Sequence, residues 1–126
     1  MDRYLLEDYI SHFYKAEPEH LWMRYPSYAV FRHAENSKWF AVVMTVSSAC
    51  LGIKSGGAVD IVNLKCGREK YELLCQKAGI YPAYHMCKGQ WISVLLDGTV
   101  AESELKELLA LSHRLTKGGE RDGGKA

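Results

Sequence analysis

Helical periodicity at both ends of the chain, with strand-like segments between them, constrains the fold more than any other feature of this sequence. Apolar side chains recur at three- and four-residue steps from Tyr4 to Tyr14, which places them on one face of a helix. A second such stripe runs from Leu105 to Leu115, after Thr99 and Glu102 at the spacing of a capping box. The middle of the chain is rich in β-branched and aromatic residues. This order predicts an α+β domain.

Four of the middle segments pair into two predicted antiparallel hairpins. Residues Ser27 to His33 and Lys38 to Val46 are joined by a short polar turn, which indicates the first hairpin. Residues Ala83 to Cys87 and Gln90 to Leu96 flank Lys88-Gly89 and indicate the second. We expect the two hairpins to belong to one antiparallel sheet.

The segment from Val59 to Cys66 predicts a further strand with two different faces. Val62, Leu64 and Cys66 alternate with a second set of side chains, so one face is expected to be buried. The second set is Ile61, Asn63 and Lys65, and we expect that face of the sheet to be open, polar and basic.

A short helix is predicted between the strands, from Arg68 to Ala78, with Gly79 after its last turn. A chain of 126 residues is long enough for a single core. We therefore expect one domain over residues 1–116 and a flexible, glycine-rich tail over residues 117–126.

The compartment is predicted from what the sequence lacks. The acidic start of the chain has no basic n-region and no apolar h-region, which argues against a signal peptide. The longest stretch without a charged residue is 15 residues, from Trp39 to Ile53, which is too short to span a membrane. The four cysteines are widely spaced and are interpreted as reduced and mostly buried. We expect a cytoplasmic protein without a membrane association.

The net charge of +1 hides an uneven distribution. Residues 1–23 contain two basic and five acidic side chains, residues 24–91 nine and four, and residues 92–126 five and six. The balance of +5 in the middle places positive charge on the predicted sheet and its inserted helix.

Motifs in the second half of the chain resemble the bacterial MmcQ/YjbR family. They are Asn63-Leu64-Lys65-Cys66, then Tyr84-His85-Met86-Cys87-Lys88-Gly89-Gln90-Trp91, then Leu96-Asp97-Gly98 before a leucine-rich helix. Upstream, Arg24-Tyr25-Pro26, Val30-Phe31 and Trp39-Phe40-Ala41 also look like the family, so the resemblance covers roughly residues 4–116.

The resemblance implies a fold similar to the frataxin-like sandwich. In that fold the N- and C-terminal helices pack on one face of an antiparallel sheet, and a short helix is inserted between strands. The family is described as a double-wing DNA-binding module, so the resemblance also implies DNA as a partner. A fold-level likeness does not by itself establish a function.

The candidate nucleic-acid-binding residues lie on the face that is expected to be open. Cationic or hydrogen-bonding side chains for phosphates are Lys65, His85 and Lys88, with Arg32 and Lys54 as extensions. Tyr84 and Trp91 offer flat rings for stacking against bases. The alternative is that the two aromatic residues pack in the core and the lysines only solubilise an exposed sheet.

Other chemistry has weak support. A metal site of His85, Cys87 and Cys66 lacks a close cysteine pair, and an iron site on Asp2, Glu7 and Asp8 has only two acids in the body of the helix. No nucleotide-binding or hydrolase motif occurs.

We therefore expect no catalysis, no cofactor and no metal. The first hypothesis is a monomeric DNA-binding or regulatory module. The second is a protein-binding or small-ligand-binding module in which DNA has no part.

Overall fold

The α+β prediction is confirmed by the computed structural model, which describes residues 1–54, 56–87 and 89–117. Helices at both ends of the domain and a short helix between strands occur as expected. The elements in chain order are α1 (Arg3–Tyr14), β1 (Ala29–Arg32), β2 (Trp39–Ser47), a 3-10 helix (Ser48–Leu51), β3 (Ala58–Lys65), α2 (Arg68–Leu74), β4 (Ile80–Pro82), β5 (Trp91–Leu95) and α3 (Glu102–Thr116). The predicted flexible tail lies, except for Lys117, outside the described residues.

The five strands form one sheet in the order β1-β2-β3-β5-β4, and each neighbouring pair is antiparallel. The register opposes Val43 to Val62 between β2 and β3. Between β3 and β5 it opposes Lys65 to Trp91. Since directly opposed residues project on the same face, this register decides which side chains share each surface of the sheet.

Helices α1, α2 and α3 pack on one face of the sheet, which we call the helix-covered face. The strand alternation predicted for Val62, Leu64 and Cys66 is confirmed, because all three are buried there. The apolar positions of the helices complete this core: Leu6 and Ile10 of α1, Leu74 of α2, and Leu105, Leu108 and Leu109 of α3.

The opposite face, which we call the loop-covered face, is not open as predicted. It holds a second buried cluster of five apolar side chains, which are Val30, Val42, Met44, Val46 and Ile61. Trp22 and Tyr28 from the segment between α1 and β1 pack against this cluster, as does Tyr84. The expectation failed because residues 17–28 fold back over the sheet, which β-strand periodicity does not reveal.

The covering segment is attached to the edge strand β1. The backbone groups of Glu19 and Val30 exchange two hydrogen bonds of 2.9 Å. The Arg32 side chain also donates two hydrogen bonds to the Glu19 carboxylate, at 2.9 and 2.7 Å. These bonds hold the segment in place before it crosses the sheet.

The second predicted hairpin is displaced along the chain. Its first strand is Ile80–Pro82 instead of Ala83–Cys87. The backbone of Tyr84 bonds to side chains of the sheet instead of continuing the ladder, since its N–H donates to Ser93 Oγ at 3.0 Å. His85 has a left-handed φ of 65°, which a strand does not accommodate.

Two helix boundaries also differ from prediction. Helix α2 ends at Leu74, and turns occupy residues 75–79. The N-cap of α3 is Ala101 without a side-chain cap, so the predicted capping box is wrong. Thr99 lies in the turn before the helix, where its N–H donates to Asp97 Oδ1 at 2.9 Å.

Candidate functional site

Lys65 and Trp91 are buried, contrary to the expectation that they are exposed. They oppose each other at the ends of β3 and β5, and only 6% and 9% of their surfaces are exposed. The main chain of Lys65 is also fixed, because its N–H donates to Ser112 Oγ of α3 at 2.9 Å. Side chains with so little exposed surface offer a nucleic acid little contact area, either for a phosphate at Lys65 or for base stacking at Trp91.

The other predicted cationic residues are separated from one another. The guanidinium of Arg32 is occupied by Glu19, with its Nη2 atom 2.7 Å from Glu19 Oε1. Lys54 is exposed in the segment between the 3-10 helix and β3. Lys88 lies outside the described residues. The structure therefore does not bring the described members of this set together as one phosphate-binding patch.

Tyr84 and His85 do lie together, on a loop that buried polar groups hold against the sheet. Asn63 is fully buried; its Nδ2 donates to the Tyr84 carbonyl at 2.8 Å, and its Oδ1 accepts from Ser93 Oγ at 2.5 Å. Buried amides and hydroxyls that satisfy one another in this way rigidify their surroundings. The exposed His85 ring follows, with its centroid 3.9 Å from that of Tyr84.

A groove separates this loop from the covering segment 17–28, and we call it the aromatic groove. Its volume is about 260 Å³, and the side chains of Val42 and Met44 from β2 contribute to its floor. The remaining lining residues are Trp22, Tyr25, Tyr28, Trp39, Tyr84, His85 and Met86.

The rings around Trp22 meet nearly at right angles. The Trp22 and Trp39 ring planes are 88° apart, with centroids separated by 5.6 Å. The Trp22 and Tyr28 planes are 75° apart, with centroids separated by 5.7 Å. Tyr25 stacks on Tyr28 at 4.9 Å and continues this wall toward solvent. These contacts position rings that an irregular segment contributes.

The aromatic groove carries few ionisable side chains, which are Tyr25, Tyr28, Tyr84 and His85 among the lining residues that the structure describes. None of the lining residues that the structure describes is Lys, Arg, Asp or Glu. Two main effects raise the pKa of Tyr84 to about 12: the larger is a hydrogen bond with the Cys50 thiol, and the smaller is burial. Burial also raises the pKa of Tyr28, and the neighbouring Tyr25 adds to the effect. These two phenols therefore stay protonated.

A second concave region, which we call the histidine cleft, lies on the helix-covered side of the domain. Its volume is about 630 Å³, and it is bounded by residues 14–19, the β1–β2 turn and the end of α3. The rings of His33 and His113 lie 4.4 Å apart at its base. Phe40 contacts both histidines, with centroid separations of 5.1 and 4.8 Å. Arg32 and Glu19 belong to this lining and not to the aromatic groove.

The tautomer of His33 follows from its partner. Thr116 Oγ1 donates to the Ser112 carbonyl at 2.7 Å, so it accepts from His33 Nε2, which lies 2.9 Å away. Burial lowers the pKa of His33. Burial is the main cause that lowers the pKa of His113 to about 4, and repulsion from a protonated His33 is the next. Both rings are therefore neutral at pH 7.

Neither concave region was predicted from the sequence. The aromatic groove depends on Trp22, Tyr25 and Tyr28, which fall in a segment expected to be only a connecting loop. Three large aromatic residues within seven positions of a loop were the available signal, since such residues usually bury much of their surface. The histidine cleft had no comparable signal, because His33 and His113 are 80 positions apart.

The cysteines are less uniform than expected. Cys66 is buried and Cys75 half-buried, but Cys50 and Cys87 are exposed, so the prediction of mostly buried thiols is wrong for these two. Burial raises the pKa of the Cys66 thiol to about 11, which keeps it protonated. Across the described residues, no three His, Cys, Asp or Glu side chains are grouped to hold a metal ion.

No helix in the described part of the chain is both long and apolar enough to cross a membrane. The fold and the two concave regions define a small α+β domain with three α-helices on one face of a five-stranded antiparallel sheet. The model of the YjbR family matches residues 11–115. The chain belongs to the YjbR family, and the resemblance found in its motifs is confirmed.

Relatives and solved structures agree with this assignment. The chain is 40% identical over 114 residues to uncharacterized protein YyaQ of Bacillus subtilis (strain 168), a match that covers 88% of this chain and 97% of YyaQ. A crystal structure of a Pseudomonas syringae protein has a TM-score of 0.91 and 42% identity, covering 93% of this chain and all of that one. A Deinococcus radiodurans protein has a TM-score of 0.62 and 27% identity, covering 87% of this chain and 75% of that one.

Proposed function

We propose that the protein is a non-catalytic binding module whose aromatic groove holds a small, weakly hydrated organic group. The observation that carries this proposal is the ring geometry around Trp22, with two nearly perpendicular neighbours above an apolar floor. Ligand sites in proteins are typically concave, largely apolar and lined by a few oriented polar groups. Tyr84 and His85 supply polar groups at one wall.

Exposed apolar side chains next to the groove add support. Leu21, Met23 and Tyr25 are all exposed in the covering segment, although soluble domains usually bury such side chains. A cluster of exposed apolar groups commonly marks a binding surface.

The proposal is tested by titrating small organic probes into the full chain and mapping the shifted amide and indole resonances by NMR. We expect the shifts to concentrate at Trp22, Tyr28 and Tyr84. Replacing the half-exposed Tyr25 (Tyr25→Ala) should weaken binding, because its ring extends one wall. The matched control is Tyr4→Ala, since Tyr4 is 75% exposed on α1 and lines no part of the groove. Shifts spread evenly, or equal effects of the two variants, would contradict the proposal.

DNA binding is the second candidate function. The observation in its favour is the balance of +5 in residues 24–91, with Lys54 and His85 exposed. The burial of Lys65 and Trp91 and the pairing of Arg32 with Glu19 leave fewer groups for phosphates than the sequence predicted.

Titration of a mixed-sequence duplex at about 50 and 200 mM salt tests this second function. If the side chain of Lys54 or Lys88 binds a phosphate, its replacement by alanine should flatten the salt slope by about one unit. An unchanged slope in both variants would remove these two lysines as phosphate ligands, and no binding at the lower salt would remove the DNA function.

A further inference from the structure

The shape of the aromatic groove selects a compact ligand group. A flat ring binds best in a slot between parallel walls, whereas perpendicular walls form a corner that surrounds a rounded group on several sides. Trp22 meets both Trp39 and Tyr28 nearly at right angles, with centroid separations below 6 Å. The stacked pair of Tyr25 and Tyr28 is already in contact at 4.9 Å and has no room between its rings. The groove therefore fits a rounded group better than a planar one.

The electrostatics of the corner select a positive charge. The face of an aromatic ring is the negative end of its quadrupole, and a cation within about 6 Å of a ring centroid is attracted to it. Several rings converge here, none of the described lining residues is Lys or Arg, and His85 is the one described lining residue whose side chain can carry a positive charge. The thioethers of Met44 and Met86 add polarizable surface that adapts to the shape of a ligand.

We propose that the aromatic groove binds a methylated ammonium group, of the kind carried by quaternary ammonium compounds. This inference rests on the proposed function, because it names the ligand class of the same groove. A primary ammonium group is excluded by its hydration: it loses strong hydrogen bonds to water on burial, and the lining residues that the structure describes offer it no carboxylate. A trimethylammonium group is weakly hydrated and spreads its charge over an apolar surface, so ring faces alone are sufficient partners.

The test compares choline with its uncharged carbon analogue, 3,3-dimethylbutan-1-ol, and with indole as a flat probe. Each is titrated into the full chain and followed by the groove resonances in NMR. A groove that recognises only apolar shape prefers the alcohol, because the alcohol is less hydrated than the cation. A groove that recognises charge through ring faces reverses this order, and we expect choline to bind at least about tenfold more tightly than the alcohol.

Three variants test whether choline binds in the aromatic groove. Tyr25→Ala should weaken choline binding about two- to fivefold, which is the contribution of one partly exposed ring. Tyr4→Ala should leave it unchanged. Trp22→Ala should abolish it, provided that the melting temperature shows a folded variant; where it does not fold, Tyr25→Ala decides the test.

Three results overturn the inference in distinguishable ways. Equal or tighter binding of the alcohol, or binding of indole alone at the groove, removes the preference for a cation and leaves the proposed binding function intact. Choline binding that Tyr25→Ala and Tyr4→Ala affect equally places the cation outside the groove. If none of the three probes shifts the groove resonances, both the ligand class and the proposed function are wrong.

Discussion

The two faces of the sheet are buried by different means. On the helix-covered face, apolar stripes from three helices fill the core, and nineteen buried apolar residues of the described chain form one cluster. On the loop-covered face, five buried apolar residues lie under aromatic side chains from an irregular segment. Helices satisfy their own backbone groups, so they cover a face continuously, whereas a loop must find separate partners for each backbone group.

This difference explains where a binding groove forms in the domain. The covering segment is bonded to the edge strand β1 through the backbone groups of Glu19 and Val30. It then crosses the loop-covered face with bulky rings, which do not fill that face completely. The space left between those rings and the loop that carries Tyr84 and His85 is the aromatic groove. Stability is therefore expected to reside mainly on the helix-covered face and binding on the loop-covered face.

Removing core volume from the helix-covered face should reduce stability more than any other change considered below. Leu109 is fully buried between α3 and the sheet, so Leu109→Ala should lower the free energy of unfolding by about 2–5 kcal/mol, measured by urea denaturation. The matched control is Leu73→Ala, since Leu73 is 68% exposed on α2 and should change stability by less than about 0.5 kcal/mol. Equal losses in the two variants would remove the helix-covered face as the main source of stability.

The buried side-chain amide of Asn63 should contribute both to the stability of the fold and to probe binding in the aromatic groove. Asn63→Ala leaves the Tyr84 carbonyl without its donor and the Ser93 hydroxyl proton without its acceptor, so we expect a loss of about 1–3 kcal/mol in the free energy of unfolding together with weaker probe binding in the groove. Asn36→Ala is the matched control, because the Asn36 side chain also makes two hydrogen bonds but joins the β1–β2 turn to α3. The Asn36→Ala variant should be less stable but should bind the probe with unchanged affinity. If Asn63→Ala also binds the probe with unchanged affinity, the loop that carries Tyr84 and His85 does not shape the groove.

Lowering the pH should destabilise the helix-covered face more than the loop-covered face. The pKa of His113 is about 4 in the fold against an ordinary 6.5, so between these values the unfolded chain binds a proton that the folded chain does not. Stability should therefore fall as the pH drops from about 6.5 toward 4. Burial is the main cause of the lowered pKa; His33 and Lys117 oppose the charged form, and Glu35 favours it.

The pH effect is measured by amide exchange at the end of α3 at pH 7 and pH 5, after correction for the intrinsic exchange rate at each pH. We expect weaker protection there at pH 5, and a smaller change in His113→Gln, whose side chain does not titrate. The loop-covered face should respond less, because the buried cluster beneath the aromatic groove consists of apolar side chains that do not titrate. A uniform response of both faces would contradict this difference.

Weakening the ion pair that anchors the covering segment should change stability least. Glu19→Gln removes the charge that pairs with Arg32, and because both side chains are partly exposed, the loss should be at most about 1 kcal/mol and smaller at high salt. Glu104→Gln breaks the pair with Lys77 on the helix-covered side as a control. Glu19→Gln alone is expected to speed proteolysis within residues 17–28, and equal cleavage of both variants would show that the pair does not anchor the segment.

Much of the helix-covered face could be predicted from the sequence. The stripes of α1 and α3 and the alternation through Val62 and Leu64 are local patterns, because a helix or strand buries one side at a fixed period. Local turns were predicted less well. The Tyr84 backbone bonds to the side chains of Asn63 and Ser93, which are remote in sequence, and the hairpin strand lies at Ile80–Pro82 instead.

The sequence singled out two residues that lie at the aromatic groove, but it did so for nucleic-acid binding, which stays a prediction. Tyr84 and His85 were identified and do lie at the aromatic groove, but Lys65 and Trp91 are buried, Lys54 is exposed elsewhere and Arg32 lines the histidine cleft. The alternation correctly assigned Lys65 to the face opposite the helices. It carried no information about whether another segment covers that face, because periodicity reports the orientation of a side chain and not its surroundings.

The α+β class and the order of the helices and strands follow from the sequence alone, as does the face on which the alternating residues of β3 project. These properties follow from short-range periodicity and from the cost of exposing apolar stripes to water. The cover that residues 17–28 form over the second face, and the groove around which Trp22, Trp39 and Tyr84 meet, depend on tertiary contacts. Such contacts join distant positions through an irregular segment, and the packing that selects them has no period along the chain.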